Sequence, residues 1–454
     1  MSNIEKQTAL EQQLNSFSST ERRVALEELA SEVRSGKIVL PPAKEEVNLH
    51  FHTFFSFNGE GWSPSRVAWE SVKYGLEASG IVDFDVLDGM NEFLAAGDLL
   101  RLKAVVGLES RVFVKESSDK VISSPNEPGV AYFMATGCFK MPPAGSESES
   151  ILKSMAETAR SRNLALLEKV NPYLGDVQLD YDKDVVPLTP SGNATERHML
   201  TALDNKAQAV FGGDKAKIAS FWASKLGITE SEAESLIGDT PKFHEKLRNK
   251  LMKFGGVGYI PPSSGSFPSL EDTIKMIRGM DALPMATWLD GTNPGEEDSM
   301  GLLELMKSKG CVALNIIPDR NWNIKNPDEK ALKARKLQEI VEGARKLGMP
   351  IGVGTEMNKA GLPFVDNFSA PELQPYVRDF VEGAECLYGH TLLARFADFG
   401  YLSEGSLVAF GDDVHARNRF FIQVGQRVPT NEQIESLKAL KGKATPEDIL
   451  NILR

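Results

Sequence analysis

The stretch HFHTFFSFNGEGWSP, residues 50–64, decides the fold of this chain and the place of its chemistry. Residues 47–51 have the pattern of a strand, and side chains two apart in a strand share one face, so the imidazoles of His50 and His52 point the same way. Glycine and polar residues follow at once, which places the pair where a strand leaves its sheet. Because neutral imidazole binds Zn, Fe, Mn or Ni, the pattern predicts a metal-binding pair. The alternative is two histidines that only hydrogen-bond at a strand end.

Strands and helices alternate along most of the chain. Strands are predicted at residues 47–51, 80–84 and 104–114, with helices near 64–77 and 88–100 between them. This βαβαβ order favours a parallel sheet or a barrel. Four further strands are predicted at residues 129–136, 283–289, 311–317 and 350–354.

Chemically active residue types fall at the carboxyl ends of the first three predicted strands. In α/β barrels the carboxyl ends of the strands form the face that carries the active site. Three strands that deliver polar groups to one edge predict a functional site more strongly than any single motif does. The residues are His50 and His52, then Asp83 and Asp85, then Glu109 and Arg111.

Composition excludes several classes of protein. The 454 residues are 41% hydrophobic, enough for a large core, and the net charge of −12 argues against nucleic acid or an anionic membrane as a partner. The three cysteines are far apart and form no C-x-x-C motif, so neither disulfides nor a cysteine metal site is expected. Without an apolar signal core or a run of about 18 apolar residues, we expect a cytoplasmic protein acting on a small molecule. The sequence does not indicate its oligomeric state.

Five landmarks together resemble the PHP (polymerase and histidinol phosphatase) family. They occur in the family's order between about residue 47 and about residue 367. The resemblance implies a distorted (βα)7 barrel, similar to a TIM barrel, with phosphoesterase-like activity. The landmarks are His-x-His-Thr-x-x-Ser at residues 50–56, Gly80-Ile-Val-Asp83, Val105-Val-Gly-Leu-Glu109, Thr195-Glu-Arg-His198-Met and Gly354-Thr-Glu356-Met-Asn358.

The resemblance also organises the rest of the chain around this barrel. Residues 46–367 would form the PHP-like barrel, and residues 191–257, which interrupt the strand–helix order, a helical insertion. Residues 1–45 and 368–454 carry helical patterns without further strand–helix repeats, so we expect helical extensions at both ends.

The resemblance assigns one metal position to His50, His52, Glu109 and Glu356. Nitrogen and oxygen donors at three strand ends could surround one divalent transition metal, Zn, Mn or Fe, at about one ion per chain. Glu356 stands where the family usually has Asp, and the additional methylene requires a local adjustment of the backbone.

The family's other metal positions are altered in this chain. Asn58, Phe84, Trp288 and Asn358 stand where ligands are usual, so a trinuclear centre is not expected. We expect that replacing Asn58, Phe84 or Asn358 with alanine leaves the metal content unchanged, because these positions no longer form a ligand set.

Several residues are candidates for proton transfer and for charge compensation. Asp83 or His198 would manage protons, and His198 could also be a ligand or merely a residue on a helix surface. Arg111 and Lys359, with Arg320 as a further cation near a strand end, could hold an anion. The alternative for these cations is ion pairing with neighbouring aspartates.

The sequence therefore predicts a metal-dependent hydrolase, most simply a phosphoesterase acting on a small phosphorylated molecule. The sequence does not identify the leaving group. Hydrolysis of an amide or another ester would use the same residues. The alternative is a catalytically degenerate barrel that serves as a ligand-binding or regulatory module, which the altered ligand positions favour.

Overall fold

A computed structural model describes residues 3–261 and 265–454, and within them one sheet carries seven strands. Consecutive strands are neighbours throughout, and the backbone bridge between Phe51 and Glu356 brings the first strand to the end of the last. The sheet is therefore a nearly closed barrel, as predicted. Its strands are β1 Lys44–Phe51, β2 Leu76–Phe84, β3 Lys103–Phe113, β4 Val130–Thr136, β5 Leu283–Trp288, β6 Ala313–Ile316 and β7 Ile351–Val353.

The fourth strand departs from the parallel arrangement. Neighbouring strands are parallel within the group β1 to β3 and within the group β5 to β7. Strand β4, between the two groups, is antiparallel to both β3 and β5. Between β3 and β4 the chain forms only a 3-10 turn, Lys115–Ser117. Parallel neighbours are usually joined by a crossover helix, and without one β4 returns along β3. This is the distortion of the barrel.

Two helices precede the barrel, and further helices follow β1, β2 and β4. In α3, for example, the Ser63 hydroxyl caps the first turn, Pro64 fits the first helical position, and Gly75 ends the helix at a φ of +88°. The helices of this part are α1 Asn3–Gln13, α2 Ser19–Arg34, α3 Pro64–Tyr74, α4 Met90–Leu100 and α5 Glu147–Leu174.

The helical insertion has a hydrophobic core of its own. The amino-terminal half of α5 packs in the barrel core through Leu152 and Met155, and its carboxyl-terminal half joins Trp222 and Phe243 in the core of the insertion. Helix α5 therefore connects the two cores across the barrel mouth. The predicted insertion, residues 191–257, contains helices α6 Glu196–Val210, α7 Lys215–Leu226, α8 Glu230–Ile237 and α9 Thr240–Leu251; a π-helical turn Tyr181–Val185 and a 3-10 turn Val186–Leu188 precede it.

The carboxyl-terminal helices close the opposite end of the barrel. Helix α14 lies against the start of β7, where a Cβ on Gly383 would meet the Ile351 carbonyl oxygen. Among the described residues, no helix is long and apolar enough to cross a membrane. The remaining elements are α10 Leu270–Gly279, α11 Ser299–Lys309, α12 Asp319–Trp322, α13 Pro327–Leu347, the 3-10 turn Gln374–Tyr376, α14 Val377–Ala397, α15 Glu404–Phe410, α16 Val414–Gly425, α17 Asn431–Lys438 and α18 Pro446–Ile452.

Candidate metal site

The four predicted ligands meet at the carboxyl ends of β1, β3 and β7. One donor atom from each of His50, His52, Glu109 and Glu356 lies within 4.8 Å of the others. The Nε2 atoms of His50 and His52 lie 3.4 and 3.2 Å from Oε2 of Glu109. Two ligands bound tetrahedrally at about 2.1 Å stand about 3.4 Å apart, so these spacings suit donors that share one cation.

Hydrogen bonds to Asp83 fix the tautomer of His52. The Asp83 carboxylate accepts from the backbone N–H of Thr53 (2.8 Å), from the Thr53 hydroxyl (2.7 Å) and from the Ser56 hydroxyl (2.6 Å). Since Ser56 has given its one hydrogen to Asp83, its oxygen accepts from Nδ1 of His52, which lies 3.1 Å away. The proton of neutral His52 is therefore on Nδ1, and Nε2 carries the lone pair that a metal ligand requires.

The surroundings of His52 Nε2 test whether a cation fits. This atom is buried without a hydrogen-bond partner, because the 3.2 Å approach to Glu109 lacks hydrogen-bond geometry. Burial opposes the ionisation of Glu109, but its interactions, chiefly the one with His50, lower its pKa to about 2, so the carboxylate is negative. A lone pair faces a carboxylate here, and a cation between them would satisfy both. The donor set therefore fits a divalent cation.

Glu356 reaches the other ligands from an unusual backbone. Its φ is +66°, and that of Met357 is +46°, both in the left-handed region that costs a non-glycine residue about 1 kcal/mol or more. The Glu356 carbonyl accepts from the His52 N–H at 2.8 Å, which ties the residue to the end of β1. Glu356 therefore enters the site from strained backbone, and the adjustment required by its additional methylene stays a prediction.

The altered ligand positions have structural roles around this site. Phe84 stacks on the ring of His52, Asn58 donates to the His52 carbonyl at 2.8 Å, and Asn358 donates to Oε1 of Glu356 at 3.3 Å. Phe84, Asn58 and Asn358 therefore contact the predicted ligands, and the expectation that they do not bind metal themselves stays a prediction. Trp288 is fully buried in β5.

Asp83, which was predicted to manage protons, accepts hydrogen bonds from Thr53 and Ser56 next to His52. Burial raises the pKa of Asp83, whereas its hydrogen bonds from Ser56 and Thr53 lower it. Both oxygens accept hydrogen bonds from these two residues, so Asp83 can orient His52 through Ser56, and its role in proton transfer stays a prediction.

His198 lies at the start of α6, outside the four-donor site. Its Nδ1 accepts from the backbone N–H of Thr195 at 3.1 Å and completes a capping box. Burial lowers the pKa of His198 to about 4, so the ring is neutral at pH 7 and carries its proton on Nε2. In that tautomer His198 can donate a hydrogen bond, but neither nitrogen is free to bind a metal.

The predicted cations take different positions. Nη1 of Arg111 lies 3.0 Å from Oε2 of Glu127, so its ion-pair partner is a glutamate that sequence reasoning did not consider. Lys359 is exposed and makes no ion pair within the described residues. Nη2 of Arg320 lies 3.6 Å from Oε2 of Glu356, and its Nε is buried without a hydrogen-bond partner. Arg320 is therefore the cation beside the metal ligands.

Comparisons with known proteins reach only the fold. No model of a known protein family matches the sequence, and no curated protein matches it. One similar solved structure is an amidohydrolase from Chromobacterium violaceum with bound sulfate and no metal, at 15% identity and a TM-score of 0.48, covering 75% of this chain and 96% of that chain. Another is a candidate metal-dependent phosphoesterase from Bifidobacterium adolescentis, at 17% identity and a TM-score of 0.45, covering 74% and 96%. Function is therefore inferred from the four-donor site itself.

Proposed function

We propose that this protein is a metal-dependent hydrolase that cleaves phosphate esters of small molecules. One divalent transition metal would be held by His50, His52, Glu109 and Glu356. The observation that carries the proposal is the orientation of His52, whose tautomer directs an unpartnered, buried lone pair at the Glu109 carboxylate. A histidine fixed in this way by a chain of hydrogen bonds is typical of a working metal ligand.

The surrounding residues have distinct roles in the proposed reaction. A divalent ion bound here would supply Lewis acidity, which activates water and polarises the bond under attack. Asp83 and Ser56 keep the proton of His52 on Nδ1. Arg320, beside Glu356, has guanidinium donors for the oxygens of an anionic substrate and would compensate charge that develops in the transition state.

A complete ligand set supports hydrolysis over the degenerate-barrel alternative. If the site no longer bound metal, the buried carboxylates and the orphaned lone pair of His52 would be a cost without a benefit. The side chains at the altered positions support the ligands, as Phe84 and Asn358 do, which is expected where one metal position is maintained.

Metal analysis and a substrate panel test the proposal together. Protein purified without chelators is expected to contain about one Zn, Mn or Fe per chain by mass spectrometry, and to hydrolyse phosphate monoesters faster than carboxylic esters or amides. His52→Ala should lose the metal and reduce turnover by a factor of about 100 or more. His415→Ala is the matched control, because His415 is an exposed histidine on α16 away from the site. Absence of both metal and hydrolysis after reconstitution with each ion would contradict the proposal.

A further inference from the structure

Four arginines gather at the barrel mouth, and we call them the arginine cluster: Arg111 of β3, Arg162 of α5, Arg197 of α6 and Arg248 of α9. Glu196 pairs with Arg248 and lies within electrostatic reach of the other three. Burial raises the pKa of Glu196, but Arg248, Arg111 and Arg197 together lower it, and Glu196 in turn acts on Arg162. The insertion and the barrel thus contribute cations to one place.

Three members of the cluster have carboxylate partners. Arg111 pairs with Glu127 at 3.0 Å, Arg248 with Glu196 at 2.9 Å and Arg197 with Glu245 at 3.5 Å. Their charges are therefore largely compensated within the protein, and only the fourth arginine can supply an uncommitted guanidinium.

Arg162 is the member without such a partner. Among the described residues, no carboxylate oxygen lies within 4.0 Å of its guanidinium, and its one hydrogen bond runs from Nη1 to the Ser266 carbonyl at 3.0 Å. Asp85 influences it from a longer distance, but the Oδ1 atom of Asp85 already accepts from Ser110. A guanidinium has five donors in a planar fork, so most of those of Arg162 remain available to an oxyanion.

Phe267 holds this fork in place. The guanidinium carbons of Arg162 and Arg111 lie 4.7 and 4.6 Å from the centre of the Phe267 ring. Stacking on an aromatic ring restricts the motion of both side chains and keeps two like charges close together. An anion bound beside them would relieve the repulsion between them.

The arginine cluster lies beside the metal ligands. Tyr132 faces Arg111 across the β3–β4 ladder. Burial raises the pKa of Tyr132, Arg111 and Arg248 lower it, and Glu109 and Glu356 raise it further. Its ring therefore lies within the electrostatic reach of both groups. Along β3, Arg111 follows Glu109 by two residues, so the two side chains leave the same face from Cα atoms about 6.6–6.8 Å apart. One small molecule can therefore reach both places.

We propose that the arginine cluster, with Arg162 as its principal donor, is a second anion-binding subsite, and that the substrate carries a carboxylate or phosphate group in addition to the ester that is cleaved. The substrate assignment rests on the proposed hydrolase function, whereas the subsite itself is a statement about binding. Bidentate recognition of an oxyanion by a stacked guanidinium provides the affinity.

Calorimetric titration of the full-length protein, with and without bound Mn²⁺, tests the subsite without requiring turnover. The probes are phenylphosphonate, its 3- and 4-carboxy derivatives, and benzene-1,3- and 1,4-diphosphonate. Of the probes with a second anionic group, the better isomer should bind about 10-fold tighter or more than phenylphosphonate, which has only one such group. The carboxy and diphosphonate probes distinguish the two classes of second group.

Arg162→Met should abolish this preference, and Arg162→Lys, which retains charge without the fork, should reduce it. Arg160→Met is the matched control, because Arg160 lies on the same helix but is exposed and pairs with Asp182. Equal affinity of all probes for the wild type, failure of every probe to bind, or a preference that survives Arg162→Met would overturn the inference. If the expected affinities hold but no ester is hydrolysed, the subsite stands and the proposed function fails.

Discussion

The ring of Phe84 lies stacked on the imidazole of His52, with centroids 4.6 Å apart and planes inclined by 24°. The phenyl group stands at a position where the family that this chain resembles has a metal ligand. Here it restricts the rotation of a ligand instead. The stack therefore makes the predicted ligand His52 more rigid.

Phe84→Leu should weaken metal binding while leaving every ligand in place. Leucine fills much of the volume but cannot stack on the imidazole, so His52 gains rotational freedom, and the metal dissociation constant should rise about 10-fold. Competition with a fluorescent chelator measures this change. Phe396→Leu, a partly buried exchange in α14 away from the site, is the control and should leave the dissociation constant unchanged.

Ser56→Ala should release the tautomer of His52. Without the hydroxyl, Nδ1 loses its acceptor and the proton can move to Nε2, so metal affinity should fall about 10- to 100-fold. Nitrogen NMR of the metal-free protein reports the tautomer directly: the wild type should show the Nδ1-protonated form and the variant a mixture. An unchanged spectrum in Ser56→Ala would mean that Ser56 does not set the proton position.

Glu356→Gly should stabilise the metal-free protein while abolishing metal binding. Glycine adopts the φ of +66° without strain, so the free energy of unfolding in the presence of a chelator should rise by about 1 kcal/mol. Glu356→Gln retains the strain and removes the charge, and it separates the two effects. Urea unfolding measures stability, and a stability gain of equal size in both variants would show that relief of charge repulsion, rather than of backbone strain, is responsible.

His198 should make the fold sensitive to mild acid. Burial lowers its pKa from 6.5 to about 4, so between these pH values the unfolded chain binds a proton that the folded protein does not. Stability from this source is complete above about pH 6.5 and is lost as the pH falls toward 4, by up to about 1.4 kcal/mol per pH unit.

His198→Gln tests that dependence. The amide can still accept from the Thr195 N–H, as glutamine does in a capping box, but it does not titrate. The slope of unfolding free energy against pH should decrease in this variant and remain in the His415→Gln control. His390, also buried with its pKa lowered to about 4, contributes a similar slope that persists in both.

Local patterns were sufficient to predict some of the ligands but not their supports. Strand periodicity predicted the pair His50 and His52 and the position of strand ends placed Glu109 near them, whereas the full ligand set with Glu356 was implied by the family resemblance. Arg162 was missed, since it reaches the mouth only through the packing of α5 between two cores. The hydrogen bond from Ser56 to Asp83 likewise joins two strand ends, and no short sequence pattern predicts it.

Because β1 and β7 meet at the candidate metal site, an ion bound there would affect the conformational entropy of the chain. The hydrogen bond from Asn48 to Thr355 spans 307 residues, and the ligands His50 and Glu356 lie beside it on the same seam. An ion held by both would act as a reversible cross-link between the two ends of the barrel. In the unfolded chain such a link would close a very long loop, whose entropic cost grows only with the logarithm of its length. Closing this seam, the most non-local contact of the barrel, is thus the step of folding that an ion would assist.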